Sequence, residues 1–300
     1  MFSLKKISAT FAFLTLLAGS SWAEASTIYL YRQFLSGNPI ACTTPGSQTF
    51  TTPGVYQVTV PSGCDIAVTL AGAGGGNAYD NEGGGSGGLV SFTIHPGSTQ
   101  LTVVVGQAGS IAYPSVQNSG GTGGGYSLVA EGSTILGVAG GGGGAGGDGG
   151  SGHPAYSQGG EGGDPGTDGA LAAYDYDGCI DNGTGATDLQ AGTDGEMCPE
   201  VNTGLGAAPA TAGSAALESG SFTADSGTAT VYQGDSGNGG NGGGGGGYYG
   251  GGSGSPGGGY GEGGGGGGGS SYVTSSATNV KENTGEGSPA GENGAVTLSW

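Results

Sequence analysis

Unbroken runs of glycine constrain the fold of this chain more than any other feature of its sequence. The longest runs occupy residues 140–144, 242–247 and 263–269, and glycine accounts for 79 of the 300 residues. A glycine run has no side chains with which to build a core, and ordering it costs more backbone entropy than ordering any other residue. A folded structure therefore has to compensate through the backbone hydrogen bonds of the runs themselves.

Polyproline II geometry offers the runs such hydrogen bonds. It has three residues per turn and leaves every backbone donor and acceptor pointing outward. Because glycine has no Cβ atom, several such helices can approach closely and bond to one another laterally. The sequence has no strict G-X-Y period, so it favours a bundle of packed polyglycine helices over a collagen triple helix. The alternative is that the runs are flexible linkers.

Short blocks of alternating apolar and polar residues separate the glycine runs. The first contains Tyr56, Val58 and Val60, which is typical of a half-buried β-strand. The same alternation predicts strands around residues 66–70, 90–94, 101–105, 128–129, 135–138, 229–232, 272–273 and 296–300. No amphipathic helix is indicated. The sequence predicts an all-β fold, with a jelly-roll or sandwich-like frame that carries the polyglycine helices and glycine-rich loops.

The amino terminus predicts export. Lys5 and Lys6 precede a mostly apolar stretch, and small residues follow up to Ala23, which is the order of a secretory signal peptide. The apolar stretch is shorter than the roughly 20 residues of a membrane span. We expect cleavage after Ala23, a lead-in segment at residues 24–45, and a secreted or cell-surface protein, with the periplasm as an alternative.

The charge of the mature chain restricts its partners. Loss of the leader leaves Arg32 and Lys281 as the only fixed positive charges against 23 acidic residues, a net charge near −21. Nucleic acids and anionic lipids are bound through clustered Lys or Arg, so we expect neither nucleic-acid binding nor membrane insertion. The charge is compatible with a glycan, a cell-surface receptor or self-association.

Four cysteines in an exported chain indicate disulfides. Four cysteines allow three pairings; we favour Cys42 with Cys64 and Cys179 with Cys198, since each pair flanks one contiguous segment. No CxxC spacing supports a zinc site. The second pair would staple an acidic insertion at residues 167–220, which we interpret as an exposed loop that includes Ala186.

Three aspartates of this insertion, Asp175, Asp177 and Asp181, are the candidate metal ligands. Their oxygens stand at alternating and i+6 positions in a flexible loop, an arrangement that Ca²⁺ favours. The full EF-hand spacing and its terminal Glu are absent. The sequence therefore predicts weak calcium binding, with a solvated acidic loop as the alternative, and no other cofactor.

Catalysis is poorly supported by the sequence. A P-loop needs a lysine after its glycines, and no glycine run here is followed by one. His95 and His153 both precede a proline in turn-like contexts, and no nucleophile elbow accompanies them. We therefore expect no enzymatic activity.

Tyrosine provides the remaining functional signal. Tyr248, Tyr249, Tyr260 and Tyr156 lie near or between glycine runs, and we take them as the candidate binding residues, with Tyr113 and Tyr126 as further members. Rigid amphipathic rings on glycine-rich loops suit contact with a glycan or a protein. The alternative is that these rings cap the ends of the glycine bundle.

The order of these motifs resembles the bacterial glycine-rich domain family. The pattern begins with TFTTPGVY at residues 49–56 and VTLAGAGGG at 68–76, and it closes with GAVTLSW at 294–300. Between them lie HPG at 95–97, VVG at 104–106, AGGG at 139–142 and the run at 263–269 with SSY after it. The layout is also similar to the glycine-rich region of the anaplastic lymphoma kinase ectodomain and, more loosely, to the glycine-rich adhesins at phage tail-fibre tips.

This resemblance covers roughly residues 46–300. It implies a β-sandwich or jelly-roll frame with packed polyglycine helices, and a binding or structural role outside the cytoplasm. The acidic insertion departs from the family's pattern, so no role is inherited there. Two functions follow: an adhesin-like binding module, which an exposed aromatic cluster would favour, or a structural component of a matrix, filament or surface coat. An open sheet edge or a flat self-complementary face would favour the second.

Overall fold

The computed structural model describes residues 42, 45–79, 83–147, 158–163, 166–167, 183–187, 190–193, 195, 240–255, 257 and 263–300. Among these residues every regular element is a β-strand, and the strands form two five-stranded antiparallel sheets packed against each other. The predicted all-β, sandwich-like fold is confirmed. The strands are β1 Ser47–Phe50, β2 Gly54–Thr59, β3 Ile66–Ala71, β4 Leu89–Ile94, β5 Gln100–Val105, β6 Ser127–Glu131, β7 Thr134–Ala139, β8 Tyr272–Val273, β9 Thr278–Asn283 and β10 Ala295–Ser299.

The first sheet has the order β1-β10-β3-β4-β9 and the second the order β2-β5-β6-β7-β8. Alternate side chains of both sheets point inward, as the period of two requires. Leu70, Phe92 and Leu298 of the first sheet meet Leu101 and Val103 of the second in one buried core. This burial compensates for part of the entropy cost of ordering the glycine runs that follow the strands.

Two strands, β1 and β9, are absent from the sequence prediction. Both lie at the edges of the first sheet, and all of their side chains are exposed or only half-buried. An edge strand without fully buried side chains needs no apolar alternation. The segment predicted at residues 229–232 lies outside the described residues, and the other predicted strands are confirmed.

The predicted disulfide between Cys42 and Cys64 is present, with the two Cα atoms 5.0 Å apart. Cys64 is buried in the core between the sheets, and Cys42 packs against that core. The bridge therefore ties the start of the described domain to the turn before β3. Cys179 and Cys198 lie outside the described residues, so their pairing stays a prediction.

The glycine runs form a laterally bonded bundle. Residues 140–147 follow β7, and every third residue donates a backbone hydrogen bond to the same neighbouring segment. The bonds to one antiparallel neighbour are Gly141 N to Gly246 O, Gly144 N to Gly243 O and Gly147 N to Gly240 O, at 2.6–2.7 Å. A parallel neighbour accepts from Gly142 and Ala145 through the carbonyls of Ala73 and Gly76.

The carbonyls of the same segment accept hydrogen bonds with the same period. Gly141, Gly144 and Gly147 accept from the N–H groups of Gly269, Gly266 and Gly263. Further donors are Gly124 and Gly121, to Gly142 and Ala145, and Gly88 and Gly85, to Gly140 and Gly143. A repeat of three residues is that of polyproline II geometry. The prediction of packed parallel and antiparallel polyglycine helices is confirmed for the described runs.

The closest backbone contacts of this bundle require glycine. A Cβ atom built on Gly142 or Gly143 would lie well inside 3.0 Å of the backbone of Gly85 or Gly266. The obstacle is main chain rather than a side chain that can rotate away. Because the runs have no side chains, neighbouring backbones can approach closely enough to form hydrogen bonds. These hydrogen bonds hold the bundle together in place of a side-chain core.

The described part of the acidic insertion belongs to this bundle. Gly183 N donates to Gly265 O at 2.9 Å and Ala186 N donates to Gly268 O at 3.0 Å. Ala186 is fully buried, so our expectation that it lies in an exposed loop is wrong. The reason is that residues 183–187 run beside 263–270 with the same three-residue spacing of hydrogen bonds, which an acidic composition does not reveal.

Candidate functional site

Three tyrosine rings form one cluster on the outer side of the second sheet. The rings of Tyr248 and Tyr272 stack with centroids 4.4 Å apart and an interplanar angle of 15°. Tyr249 meets Tyr248 edge-on, with centroids 5.3 Å apart and an angle of 87°. All three side chains are half-buried. We refer to Tyr248, Tyr249 and Tyr272 as the tyrosine cluster.

The sheet beneath the cluster is apolar because of its register. Val55, Val104, Leu128, Val138 and Tyr272 stand directly opposite one another across β2, β5, β6, β7 and β8. Val104, Leu128 and Val138 are fully buried, and Tyr248 and Tyr272 pack against the small core that they form. The second sheet is thus apolar on both faces, and the tyrosine cluster covers part of its outer face.

Ser270 fixes the turn that carries two of the rings. Tyr248 N donates to Ser270 O, and Ser270 N donates to Tyr249 O, both at 2.9 Å. Tyr249 N also donates to the Ser270 hydroxyl at 2.9 Å. Because Ser270 directly follows the glycine run at 263–269, the cluster is anchored on the bundle and on β8 together.

Burial raises the pKa of the Tyr248 phenol above its ordinary value of 10.0, and the neighbouring Tyr272 and Tyr249 raise that pKa further. The neutral phenol is therefore favoured in the folded state. We expect the stability contributed by this group to be complete below pH 10 and to be lost as the pH rises through the raised pKa of the folded protein.

Alkaline titration tests this expectation. Near-ultraviolet absorbance of the folded protein should show late-ionising tyrosine, and Tyr248→Phe should lower the amplitude of that late phase by one tyrosine. Tyr113→Phe, at an exposed tyrosine, is the matched control and should leave the amplitude of the late phase unchanged. An undiminished late phase in Tyr248→Phe would contradict the assignment.

The structure brings Tyr248 and Tyr249 together, as candidate binding residues should be, and adds Tyr272, which sequence reasoning treated only as part of a strand. Alternation within β8 accounts for the position of Tyr272: Val273 packs against the core, so Tyr272 points to the outer face of the sheet. Tyr126 is buried in the small core below the cluster. Tyr156, Tyr260, Asp175, Asp177 and Asp181 lie outside the described residues and stay predictions.

A second pair of tyrosines is exposed elsewhere on the glycine bundle. Tyr79 and Tyr113 are 38% and 39% exposed. The Tyr79 N–H donates to Ser119 O at 2.9 Å, and the Tyr113 N–H donates to the Ser119 hydroxyl at 3.0 Å. These rings do not belong to the tyrosine cluster and offer matched controls for it.

Charged groups are sparse in the described part of the chain. His95 Nδ1 lies 2.9 Å from Asp65 Oδ1, and both side chains are exposed. No group of three or more His, Cys, Asp or Glu side chains is placed there to hold a metal ion. Within the same residues, no helix has the length and apolar character of a membrane span.

Comparison of this chain with protein-family models and with curated proteins finds no match. The resemblance to the bacterial glycine-rich domain family therefore stays a prediction.

Proposed function

We propose that this protein is a secreted, non-enzymatic, adhesin-like binding module that contacts a glycan or a protein through the tyrosine cluster. The observation that carries the proposal is the joint position of Tyr248, Tyr249 and Tyr272 in one half-exposed aromatic cluster. The predicted leader supplies the expected location outside the cytoplasm.

The anchoring of the cluster supports this role. A binding surface gains affinity when its side chains are already ordered, because less entropy is lost on association. Ser270 holds the turn through three hydrogen bonds, and Tyr248 and Tyr272 restrict each other by stacking. Tyr249 lies at the end of the row of three rings and meets Tyr248 edge-on, so it is the ring best placed to meet a ligand.

The chemistry of the partner follows from charge. A chain with formal net charge −19 repels anionic polymers at low salt. Tyrosine rings stack on the apolar faces of sugars and hydrogen-bond through their hydroxyl groups. The surface therefore suits a neutral glycan, or a protein patch that is neutral or basic.

A binding assay tests the proposal. The secreted protein is applied to a panel of immobilised neutral polysaccharides (cellulose, chitin, mannan and galactan) and to epithelial cell-surface protein. Whichever probe retains the parent protein should bind Tyr249→Ala about tenfold or more weakly. This is the loss expected when an aromatic side chain that contributes about 1.4 kcal/mol is removed. Tyr113→Ala, the control, should leave that binding unchanged. Equal effects of both substitutions, or no retention on any probe, would contradict the proposal.

A structural component of a matrix, filament or surface coat is the second candidate function. One observation favours it: no described strand pairs with the outer edge of β2, and an unpaired sheet edge is the kind of surface through which copies of a chain associate. Filaments of the purified protein in electron microscopy would support this candidate over the binding module.

A further inference from the structure

The strands at the edges of the two sheets, as far as the described residues define them, differ in how well they are protected against pairing with another chain. β8 has only two residues, and β1, with four, presents outward backbone groups only at Ser47 and Thr49. β9 has an irregular register with β4, a positive φ of 54° at Asn279, and the charged Lys281. Short length, bulges and charge are the devices that prevent a sheet edge from pairing with another chain.

Within its six residues β2 has none of these devices, and the prolines that limit pairing lie just outside it, at Pro53 and Pro61. It pairs with β5 over six residues without a register shift, and neither strand contains a charged residue. Its exposed side chains Val55, Gln57 and Thr59 alternate with half-buried or buried ones, and Val55 is 47% exposed. A regular, uncharged edge strand of this length is a template for β-sheet extension.

The outward backbone groups of β2 are fixed by its pairing with β5. Val60 N donates to Thr99 O at 2.8 Å, in register with the ladder. Since bonded and free positions alternate along an edge strand, the even-numbered residues of β2 bond to β5. The N–H and C=O groups of Val55, Gln57 and Thr59 therefore face away from the sheet.

This edge is self-complementary in one register. Prolines, which lack the N–H group, occupy the outward positions at both ends, Pro53 and Pro61. Antiparallel pairing of two β2 strands about Gln57 places Pro53 opposite Pro61 and leaves all outward groups between them with partners. A shift of the symmetry centre to Tyr56 or Val58 sets an outward residue opposite a proline and loses bonds.

We propose that a second copy of this chain docks on β2, so that two β2 strands pair antiparallel about Gln57 and join the second sheets of both copies. In this register Gln57 faces Gln57, Val55 faces Thr59, and Tyr56 faces Val58. The outer-facing pairs are uncharged, and Val55 loses its exposure to water.

Formation of the dimer depends on the salt concentration. Each copy carries a formal net charge of −19, so copies repel at low ionic strength although the paired strands are neutral. Salt reduces this repulsion, since the Debye length falls from about 30 Å at 0.01 M to about 8 Å at 0.15 M. The dimer is therefore favoured as salt increases.

The symmetry of the contact determines the assembly. An interface that uses the same strand of both copies is closed and gives a dimer, whereas filaments need a head-to-tail contact. The dimer would display two tyrosine clusters, a consequence that rests on the proposed function and would raise avidity for a repetitive glycan. The dimer itself does not depend on any ligand.

Cross-linking of the secreted full-length protein tests the register. In Gln57→Cys, the two introduced thiols face each other across a pair with Cα atoms about 5.5 Å apart, and a short bis-maleimide should convert the protein to a covalent dimer. In Val55→Cys, the corresponding thiols are offset by roughly 14 Å along the strand, and the same reagent should give little dimer. Equal yields from both variants would overturn the register.

Sedimentation without ligand tests the interface itself. The parent should show a concentration-dependent doubling of mass at 0.15 M salt that weakens at low salt. Gln57→Pro removes an N–H group that β5 does not use. It should leave a folded monomer that melts at the temperature of the parent measured at a protein concentration low enough for the parent to be monomeric as well. Thr69→Lys, on the exposed outer face of β3, is the control and should stay dimeric. A monomeric parent or a dimeric Gln57→Pro would overturn the proposal. Loss of the dimer in Tyr31→Pro would also overturn it, because the contact would then involve the segment before Cys42 instead of β2.

Discussion

Gly266→Val should lower the melting temperature of the whole domain by roughly 10 °C or more. A Cβ atom at Gly266 would lie well inside 3.0 Å of the carbonyl of Gly243, and that obstacle is backbone. The neighbouring segment has to move away, which weakens hydrogen bonds such as Gly266 N to Gly144 O and Gly245 N to Gly267 O. Overpacking costs about 1–3 kcal/mol and each lost bond about 1 kcal/mol more, and about 4 kcal/mol corresponds to such a shift in a domain of this size.

The matched control for this substitution is Gly83→Val. Gly83 lies at the end of another segment of the bundle, and its backbone does not have the left-handed φ that only glycine tolerates. No atom of the described residues lies within 4 Å of a Cβ atom built there. The same change of side chain should therefore alter the melting temperature by little. Calorimetric scans of the parent and both variants give the comparison. Equal melting temperatures for Gly266→Val and Gly83→Val would contradict the packed bundle and support flexible runs.

The strands that line the core could be predicted from sequence because burial imposes a period of two. β3 and β4 show this clearly, with Val68 and Phe92 inward and Ala67 and Thr93 outward. β1 and β9 could not be predicted, since they lie at an edge and none of their side chains is fully buried, so no alternation of buried and exposed residues marks them. The strand order could not be predicted either, because it depends on pairing between residues far apart along the chain.

The glycine bundle could be predicted as a type of structure but not as a set of neighbours. Glycine composition indicates that backbones can approach closely, while the choice of partner depends on where each strand ends. The burial of Ala186 illustrates this. Its acidic surroundings favour solvent, but the three-residue repeat of bonds between residues 183–187 and 263–270 places it inside.

The candidate site could be predicted only in part. Tyr248 and Tyr249 stand out because they interrupt glycine runs, so their sequence context identifies them. Tyr272 joins them through the register of β8 against β7, which sets it opposite Val138 on the outer face. A pairing between residues so distant along the chain leaves no local signal in the sequence.

Replacement of both cysteines in Cys42→Ala, Cys64→Ala should lower the free energy of unfolding by about 3 kcal/mol. The bridge closes a segment with a sequence separation of 22 residues, and the chain-entropy estimate for such a loop is of this size. Its release frees the chain before β1, a four-residue strand held only by β10 among the described strands, so we expect β1 to be the first element to lose protection from hydrogen exchange.

Urea unfolding of the parent and the double variant, each with and without reductant, separates the disulfide from side-chain packing. In the double variant, reductant can act only on Cys179 and Cys198, so its effect there measures the predicted second bridge alone. If the covalent constraint is the cause, reductant should bring the parent to the same stability as the reduced variant. A parent that keeps its full stability after complete reduction of Cys42 and Cys64, with the variant still destabilised, would show that the loss comes from the buried Cys64 side chain instead of the closed loop.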